Sequence, residues 1–287
     1  MKAFKLILCF LLTSFLLQKV SSQDLYKFPP DTTRYGSNDK AGGFASVRGF
    51  KMYYEIYGHG EPLLIIHGNG GSISNFFGQI PFFAEHYKVI MADSRSQGRS
   101  ADDKDSLSYE MMADDLDALL TTLHIDSCNV IGWSDGGING LLLAIRHPEK
   151  VKKLAVTGAN LWPDTTAVDP AVYDLVVHDI KAFKKLPVTS DSKHALKLLH
   201  ILNQEPHITI GQLHTIKCPT LVIAGDHDVI LTKHSLLIAE SIPKSYLWIL
   251  PNSGHSTPLV YKDQFNKTVL DFLKTPYRNI KGSQRFV

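Results

Sequence analysis

A serine set between glycines is the strongest chemical signal in this sequence. The segment G-W-S-D-G-G, residues 132–137, directly follows a short apolar run and directly precedes a helical stretch. Where G-x-S-x-G joins a strand to a helix, the backbone turns sharply and exposes the serine hydroxyl in strained geometry. Side chains at Gly132 and Gly136 would collide across such a turn. The context therefore favours Ser134 as a nucleophile over an ordinary tight turn.

The base that such a serine needs is best supplied by His255. A serine hydroxyl is a poor nucleophile until a neighbouring base removes its proton. The chain has 13 histidines, and most of them fall at predicted helix ends or in a long insertion, where surface and packing roles are common. His255 instead lies in the loop P-N-S-G-H, directly after the last predicted strand. Loops at the carboxyl ends of parallel strands reach the crevice where ligands bind.

The carboxylate that would orient this imidazole has two candidates, Asp226 and Asp228. A carboxylate in this role fixes the imidazole tautomer and stabilises the imidazolium that forms. Both aspartates lie in G-D-H-D, residues 225–228, directly after the predicted strand Thr220–Ala224. For either residue the alternative is a side chain that only caps the turn. With either one, the order along the chain is Ser, Asp, His, as expected when the serine lies in a G-x-S-x-G turn.

Two backbone N–H groups are expected to stabilise the oxyanion that forms when Ser134 attacks a carbonyl group. One is the N–H of Asp135, the residue after the nucleophile. The other is expected from Asn69, in the loop H-G-N-G-G that follows the predicted strand Leu63–Ile66. A phosphate-binding loop is the competing interpretation. It is disfavoured because the loop lacks both the Lys-Ser/Thr ending and the G-x-G-x-x-G spacing.

The elements that must position these residues are strands alternating with helices. Eight short runs rich in apolar and β-branched residues predict strands, most of them buried on both faces of a parallel sheet. These runs are Phe44–Val47, Met52–Tyr57, Leu63–Ile66, Val89–Ala92, Asn129–Ile131, Leu154–Thr157, Thr220–Ala224 and Tyr246–Leu250. Apolar residues at helical spacing predict helices over Tyr109–Leu123, with Ser108 as N-cap, Gly137–His147 and Leu259–Leu273. The fold class is therefore α/β, with one doubly wound, mostly parallel sheet.

One long insertion interrupts this alternation after the predicted sixth strand. Residues 161–217 contain no strand pattern. Their helical segments are Ala171–Leu186, Lys193–Gln204 and His207–Leu213. An insertion of this size predicts a helical cap, and caps of this kind usually cover the substrate site.

The cap is expected to choose the substrate, because the strand ends already fix the nucleophile and the oxyanion donors. A pocket between Ser134 and the cap is predicted to be lined by Trp133, Trp162 and Phe183. For Trp162 and Phe183 the alternative is that they fill the small core of the cap itself.

The N-terminus has the three-part layout of a secretory signal peptide, which we assign to residues 1–22. Two lysines precede an almost unbroken apolar run of 12 residues, 6–17, whereas a membrane-spanning helix needs about 20. The small side chains of Val20 and Ser22 place cleavage before Gln23. We therefore expect a secreted or periplasmic protein with no stable membrane anchor after cleavage. An N-terminal anchor that is not cleaved is the alternative.

Composition limits the class of protein and its partners. With 287 residues, 44% of them apolar and 20% charged, the chain is an ordinary globular protein with enough length for a large core. Cleavage would remove three lysines and no acid, leaving 27 basic and 28 acidic residues, net −1. No basic block is long enough to contact a phosphate backbone, which argues against nucleic acid as a partner. The expected partner is a small-molecule substrate. The other predicted segments are a lead-in 23–43, a core 44–160 with 218–275, and a tail 276–287.

Taken together, these motifs resemble those of the α/β-hydrolase superfamily. The matching motifs are H-G-N-G-G, D-S-R-S-Q-G-R-S at Asp93–Ser100, G-W-S-D-G-G, G-D-H-D-V-I and N-S-G-H. The nucleophile segment and G-A-N, residues 158–160, look most like the valacyclovir-hydrolase-like esterases and related bacterial hydrolases. In that family the acid is usually the later aspartate, which implies Asp228. Ser96 stands where the family motif usually has glycine, so the sequence leaves the shape of that loop open.

The resemblance implies a serine hydrolase that cleaves a carboxylic ester through an acyl-enzyme on Ser134, with His255 as base and Asp228 as orienting acid. A lactonase, an amidase or aminopeptidase, and a C–C bond hydrolase on the same three residues are alternatives. A non-catalytic ligand-binding protein of this fold is an alternative of another class. Such proteins often lack one of the three residues, and all three are present here. The sequence does not indicate the oligomeric state.

Metal ions, cofactors and disulfides are not expected. His227 lies between two aspartates, yet no further group of candidate ligands has suitable spacing. Cys128 and Cys218 precede the strands that the resemblance makes the fifth and seventh. The sixth strand should lie between them and hold them roughly 9–10 Å apart, too far for a disulfide. We therefore expect two free, buried thiols.

Overall fold

The computed structural model describes residues 34–102, 104 and 106–286. The predicted signal peptide and the first part of the lead-in lie outside the described residues. Among the helices of the described ranges, none is long and apolar enough to cross a membrane.

The described part of the chain folds around one eight-stranded sheet, and every predicted strand run lies within one of its strands. The strands are β1 Gly42–Val47, β2 Phe50–Tyr57, β3 Pro62–Ile66, β4 Lys88–Ala92, β5 Cys128–Trp133, β6 Val151–Thr157, β7 Thr220–Gly225 and β8 Ser245–Leu250. Their order in the sheet is β1-β2-β4-β3-β5-β6-β7-β8. Strands β3 to β8 run parallel, and β2 pairs antiparallel with both β1 and β4. The predicted doubly wound, mostly parallel sheet is confirmed.

The helices cover both faces of the sheet. They are α1 Ile80–Ala84, α2 Tyr109–Thr122, α3 Asp135–Arg146, α4 Pro170–Phe183, α5 Ser190–Gln204, α6 Ile210–Leu213, α7 Thr232–Ser241, α8 Thr257–Val260 and α9 Lys262–Lys274. Short 3₁₀ turns lie at Ile73–Phe76 and Gly282–Phe286. Helix α2 begins at the predicted N-cap, where the Ser108 hydroxyl accepts the N–H of Met111. An N-cap of this kind satisfies one of the free N–H groups of the first turn.

The hydrophobic core lies on both sides of the sheet, because side chains alternate along each buried strand. In β3, Leu64 and Ile66 belong to the cluster beneath α2 and α3, whereas Leu63 and Ile65 belong to the cluster on the other face. All four side chains are at most 1% exposed. A strand that is apolar on both faces can lie only in the interior of such a sheet, which is why its sequence is a continuous apolar run.

Two predicted helices differ from what the structure shows. The stretch predicted as one helix over Leu259–Leu273 is divided into α8 and α9 at Tyr261, where ψ is +38°. The Tyr261 hydroxyl donates to the carbonyl of Asn252, so this side chain is directed towards the preceding loop. The helix predicted over His207–Leu213 is only the single turn α6. It begins after Thr209, whose hydroxyl accepts the N–H of Gln212 in a capping box.

Along the chain, helices α4, α5 and α6 follow β6 and precede β7. They form the inserted helical cap that the sequence predicts. Helices α4 and α5 pack on each other through Val176, Ile180 and Leu199. The segment that enters the cap is joined to the loop after β7 by a bridge between Val168 and Ile230. The cap is therefore an attached layer with a small core of its own.

The two cysteines of the described residues are free and buried. Cys128 is the first residue of β5 and Cys218 lies just before β7, with β6 between those strands. Burial raises the pKa of the Cys128 thiol to about 12. Both thiols are therefore expected to be unreactive in the folded protein.

Candidate active site

Ser134 lies on the sharp turn between β5 and α3, with φ 57° and ψ −122°. This backbone conformation is strained for any residue except glycine. Two contacts of the turn leave no room for side chains at its glycines. A Cβ on Gly132 would lie 2.1 Å from the carbonyl oxygen of Gly136, and a Cβ on Gly136 would lie 2.1 Å from that of Ile66. The turn is held by a hydrogen bond from the Ser134 N–H to the carbonyl of Thr157, 2.8 Å long.

His255 lies between the serine and a carboxylate. Its Nε2 is 2.9 Å from Ser134 Oγ, and its Nδ1 is 2.6 Å from Asp228 Oδ1. The three side chains come from the carboxyl ends of β5, β7 and β8. If Nδ1 carries the proton that Asp228 accepts, Nε2 is free to accept the hydroxyl proton of Ser134. This is the arrangement that makes a serine nucleophilic.

The structure gives the two candidate aspartates different surroundings. Asp228 is buried, and its Oδ1 also accepts the N–H of Ile230 at 3.1 Å. Asp226 instead faces the loop that precedes His255, where it accepts the N–H groups of Asn252 and Ser253 at 3.0 Å each. Hydrogen bonds from His227 and from these two N–H groups lower the pKa of Asp226 to about 2. Asp226 thus fastens the loop that carries His255, and Asp228 contacts the imidazole itself.

The electrostatic surroundings of His255 favour its charged form. Burial acts against a charged ring, but the charge and hydrogen bond of Asp228, with a contribution from Asp135, outweigh it and raise the pKa of His255 above 6.5. A base whose pKa lies above that of free imidazole accepts the serine proton more readily. The same carboxylates would stabilise the imidazolium that forms during attack.

The loop H-G-N-G-G after β3 lies directly against the nucleophile. A Cβ on Gly68 would come within 3.0 Å of Ser134 Cβ. The loop is held from below by His67, whose Nε2 accepts the N–H of Ser94 at 2.9 Å. His67 Nδ1 therefore carries the ring proton and lies 2.7 Å from the carbonyl of Gly68. Asp135 is the first residue of α3, where a backbone N–H has no partner within its own helix.

The side chains of the two predicted oxyanion-hole residues are joined. Asn69 Nδ2 donates to Asp135 Oδ2 at 2.9 Å and reaches the carbonyl of Leu198, on cap helix α5, at 3.3 Å. Burial raises the pKa of Asp135 to about 6, against the opposing hydrogen bonds from Asn69 and Tyr109. The network connects the nucleophile helix, the loop after β3 and the cap. Sequence reasoning missed this connection, since Leu198 takes part through its main chain and carries no motif.

Of the three predicted pocket residues, Trp133 is brought next to His255. Its Nε1 donates to the backbone carbonyl of His255 at 2.8 Å, and its ring packs edge-on against Phe76. Trp162 contacts His234, with ring centroids 4.8 Å apart, and donates to the hydroxyl of Thr166.

Phe183 lies against the packed residues of the cap, with Val176, Ile180 and Leu199. Its described packing is that of the alternative interpretation, a side chain in the core of the cap. A role for Trp162 and Phe183 in binding substrate remains a prediction.

One group of possible metal ligands lies elsewhere in the described residues. Asp117, His147 and Glu149 place ligand atoms within 4.8 Å of one another. They lie at the end of the sheet where β6 begins, opposite the carboxyl ends that carry Ser134. His147 already has its Nε2 on Asp114 Oδ1, at 2.9 Å. This group is separate from the site around Ser134.

Comparisons with known proteins show which family model and which sequences the chain is similar to. The alpha/beta hydrolase fold family matches residues 61–200. The chain is 28% identical over 249 residues to the serine hydrolase BPHL of Mus musculus, across 80% of this chain and 85% of that protein. It is 28% identical over 262 residues to the putative carbamate hydrolase RutD of Serratia proteamaculans, across 77% of this chain and 96% of that protein.

Solved structures show the same fold. The enol-lactonase of Burkholderia xenovorans superimposes on this chain with a TM-score of 0.68 at 22% identity, covering 81% of this chain and 100% of that one. The same fold is indicated by the sheet order and by the serine at the turn after β5. The matched family and the similar proteins indicate it as well. The chain has the α/β-hydrolase fold, and its sequence resembles serine hydrolases of that fold.

Proposed function

We propose that this protein is a serine hydrolase that cleaves a carboxylic ester or a related carbonyl compound through an acyl-enzyme on Ser134. The observation that carries the proposal is the line of hydrogen bonds from Ser134 Oγ through His255 to Asp228, at 2.9 and 2.6 Å. This line of hydrogen bonds begins at the strained turn that exposes the serine. A merely structural serine has no need of either the turn or the base.

The first half of the proposed reaction acylates the serine. Ser134 Oγ transfers its proton to His255 Nε2 and attacks the carbonyl carbon, whose oxygen becomes an oxyanion. The backbone N–H groups of Asn69 and Asp135 donate to that oxyanion. When the tetrahedral intermediate collapses, the bond to the leaving group breaks, and the leaving group takes the proton from His255. Asp228 keeps the imidazole in the required tautomer throughout.

The second half releases the acyl group. Water gives a proton to His255 Nε2 and attacks the acyl carbon, and a second oxyanion forms on the same two N–H groups. Its collapse breaks the ester bond to Ser134, and the proton on His255 returns to Oγ. The net reaction consumes one water and yields the free acid and the leaving group, with the enzyme unchanged.

The substrate class is open among carbonyl compounds that this chemistry can cleave. One relative is named a serine hydrolase and another a putative carbamate hydrolase. Esters, carbamates, lactones and amides all present a carbonyl carbon with a leaving group, and a C–C linked diketone can be cleaved on the same three residues. A panel of these five classes, tested with the protein from Gln23 onwards, identifies the substrate class.

A fluorophosphonate probe tests the nucleophile without knowledge of the substrate. The wild-type protein should be labelled at Ser134, and Ser134→Ala should lose labelling and lower turnover at least about 10⁴-fold while its unfolding transition is unchanged. Ser37→Ala, at an exposed serine, is the matched control and should be labelled as wild type. Labelling at another residue, or turnover that survives in Ser134→Ala, contradicts the assignment. A folded wild type that is neither labelled nor active on the panel favours the non-catalytic binding protein.

A further inference from the structure

Two consecutive residues of cap helix α5 contact two separate loops of the core. The Lys197 side chain reaches the loop after β4, and the carbonyl of Leu198 reaches the loop after β3. Lys197 is well shielded, with only 12% of its side chain exposed. A long charged side chain is rarely enclosed unless it has fixed partners. These contacts therefore bear on how the cap is held over Ser134.

The Lys197 ammonium has several oxygen partners in the core. Nζ lies 2.7 Å from Ser96 Oγ and 3.5 Å from the carbonyl of Asp102, and it also donates to the carbonyl of Lys104. Asp102 is fixed in turn, because its carboxylate pairs with the buried guanidinium of Arg95 at 3.1 Å. Of these acceptors, Ser96 is buried and Asp102 is fixed by Arg95, whereas Lys104 is exposed.

Ser96 has a backbone conformation that favours glycine, and its hydroxyl accepts a hydrogen bond from the cap residue Lys197. Its φ is +62°, in the left-handed region that is unfavourable for residues with a Cβ. This is the position where the superfamily motif usually has glycine. A glycine would adopt this φ without strain, but it would offer no hydroxyl to Lys197. Serine at this position therefore has an unfavourable backbone conformation, and its hydroxyl makes a contact with α5 that glycine could not make.

The backbone carbonyl of Leu198 contacts Asn69 in the proposed oxyanion loop. The Asn69 side-chain amide donates both to Asp135 Oδ2 at 2.9 Å and to the Leu198 carbonyl at 3.3 Å. Asn69 is thus held jointly by the core and by the cap. Since Lys197 and Leu198 are neighbours in one helix, a displacement of the α5 backbone at Lys197 also moves the Leu198 carbonyl.

We infer that Lys197 is a positioning residue that sets cap helix α5 on the core and, through the Leu198 carbonyl, holds Asn69 in place for oxyanion binding. The inference rests on the proposed function, because it assigns a purpose to the geometry of Asn69. According to this inference, the position of α5 on the core and the position of Asn69 are coupled. Lys197 itself touches neither the reacting atoms nor the nucleophile.

Hydrogen exchange tests the link in the absence of any substrate. Lys197→Met keeps most of the length of the unbranched side chain and removes its ammonium. We expect amide exchange in peptides covering residues 67–72 to become about tenfold faster than in wild type. Lys193→Met, at an exposed lysine one turn earlier on α5, is the control and should exchange as wild type. Unchanged exchange of this loop in Lys197→Met overturns the inference, whatever the protein catalyses.

Kinetics then separate positioning from simple destabilisation. With a small acetyl ester, Lys197→Met should lower kcat about tenfold with KM within about twofold, since only part of one oxyanion donor is lost. Ser96→Gly should lower kcat in the same direction while its Tm is equal to or above that of wild type.

Asn69→Ala keeps the backbone N–H and loses the shared amide, so adding Lys197→Met to it should have little further effect. Additive losses of kcat, or a Ser96→Gly variant as active as wild type, contradict the inference. A wild type without labelling or hydrolysis refutes the proposed function instead, and the exchange result still decides the role of Lys197.

Discussion

At the scale of single residues, the imidazole of His255 is held at both ring nitrogens and also through its own main chain. The indole of Trp133 donates to the backbone carbonyl of His255 at 2.8 Å. The residue just before Ser134 therefore helps to position His255, the proposed base. Replacing Trp133 with phenylalanine removes the indole N–H but keeps most of the ring volume. The contribution of this one hydrogen bond can therefore be measured.

Trp133→Phe should lower kcat roughly three- to tenfold, because the imidazole loses one restraint and a small misplacement of a base is costly. If Trp133 acts only through His255, KM and the ranking of acyl chain lengths stay as in wild type. Steady-state kinetics on a series of esters of increasing acyl length makes the comparison. A changed ranking with unchanged kcat would instead assign Trp133 to the substrate pocket.

The two aspartates after β7 should differ strongly in their mutational effects. Asp228→Asn removes the carboxylate that contacts Nδ1 and should lower kcat by roughly 10³–10⁴. Asp226→Asn loosens the loop before His255, but leaves the contact to the imidazole, and should cost about tenfold or less. Each variant serves as the control for the other in the same assay. A reversal of the two effects would make Asp226 the orienting acid.

Sequence motifs located Ser134 and His255 but could not choose between the two aspartates by spacing alone. Asp226 and Asp228 follow the same strand two residues apart, so only the direction of each side chain distinguishes them, and that direction depends on the loop after β8. Contacts such as that of Lys197 with Ser96 span 101 residues. No local pattern encodes contacts of that kind.

At the scale of elements, the strands were predictable because a strand buried on both faces must be a short apolar run. Helix ends were less so. The break at Tyr261 arises because its hydroxyl reaches the carbonyl of Asn252, a tertiary contact that overrides a continuous helical pattern. The hairpin between β1 and β2 turns at Arg48 and Gly49, which both have positive φ, 42° and 89°, as a two-residue type I′ turn requires.

The junction between the sheet and the cap contains a histidine that must be neutral. His234 Nε2 accepts the N–H of Leu161 at 3.0 Å, and the ring packs against Trp162. Burial lowers the pKa of His234 to about 4. A protonated ring would have no lone pair for Leu161, so protonation should loosen the first residues of the cap.

This histidine gives the fold a pH dependence with a defined sign. Between pH 4 and 6.5 an unfolded chain protonates this imidazole while the folded chain does not, so the stability rises with pH across that window. The stabilisation is complete above pH 6.5, and roughly 3 kcal/mol of it is lost by pH 4. His234→Gln, which can still accept from Leu161, should flatten the slope of the unfolding free energy.

Urea unfolding at a series of pH values measures that slope. Buried carboxylates also titrate in this range, so the difference between wild type and His234→Gln is the informative quantity. His214→Gln, at an exposed histidine of the cap, controls for the loss of a histidine as such. Identical slopes in wild type and His234→Gln would show that His234 does not titrate differently in the two states.

At the scale of the whole molecule, the thiols report on both folding and processing. Cys128 and Cys218 are 0% and 7% exposed, so a thiol reagent should leave the native protein unmodified for hours and react fully in denaturant. We propose that residues 1–22 are an export signal cleaved before Gln23. Cys9 would then be absent, and the denatured, exported protein should titrate two thiols.

A count of three thiols in denaturant would mean that the N-terminal segment is retained. Intact mass gives the same answer independently, because cleavage before Gln23 fixes the mass of the product. Rapid modification of the native protein would instead contradict the buried placement of Cys128 and Cys218. Cytosolic expression of the chain from Gln23 supplies the two-thiol reference.

The proposed base, His255, follows the last strand of the described residues, β8. Ser134 and His255 are 121 residues apart in the chain, and His255 follows β8, which lies at the edge of the sheet and pairs with β7. A ribosome therefore completes the serine, its turn and the glycine-rich loop long before it reaches the imidazole. Until β8 docks, the growing chain carries only an unactivated alcohol. If the proposed function is correct, a nascent chain that has not yet formed β8 should be unable to hydrolyse acyl compounds.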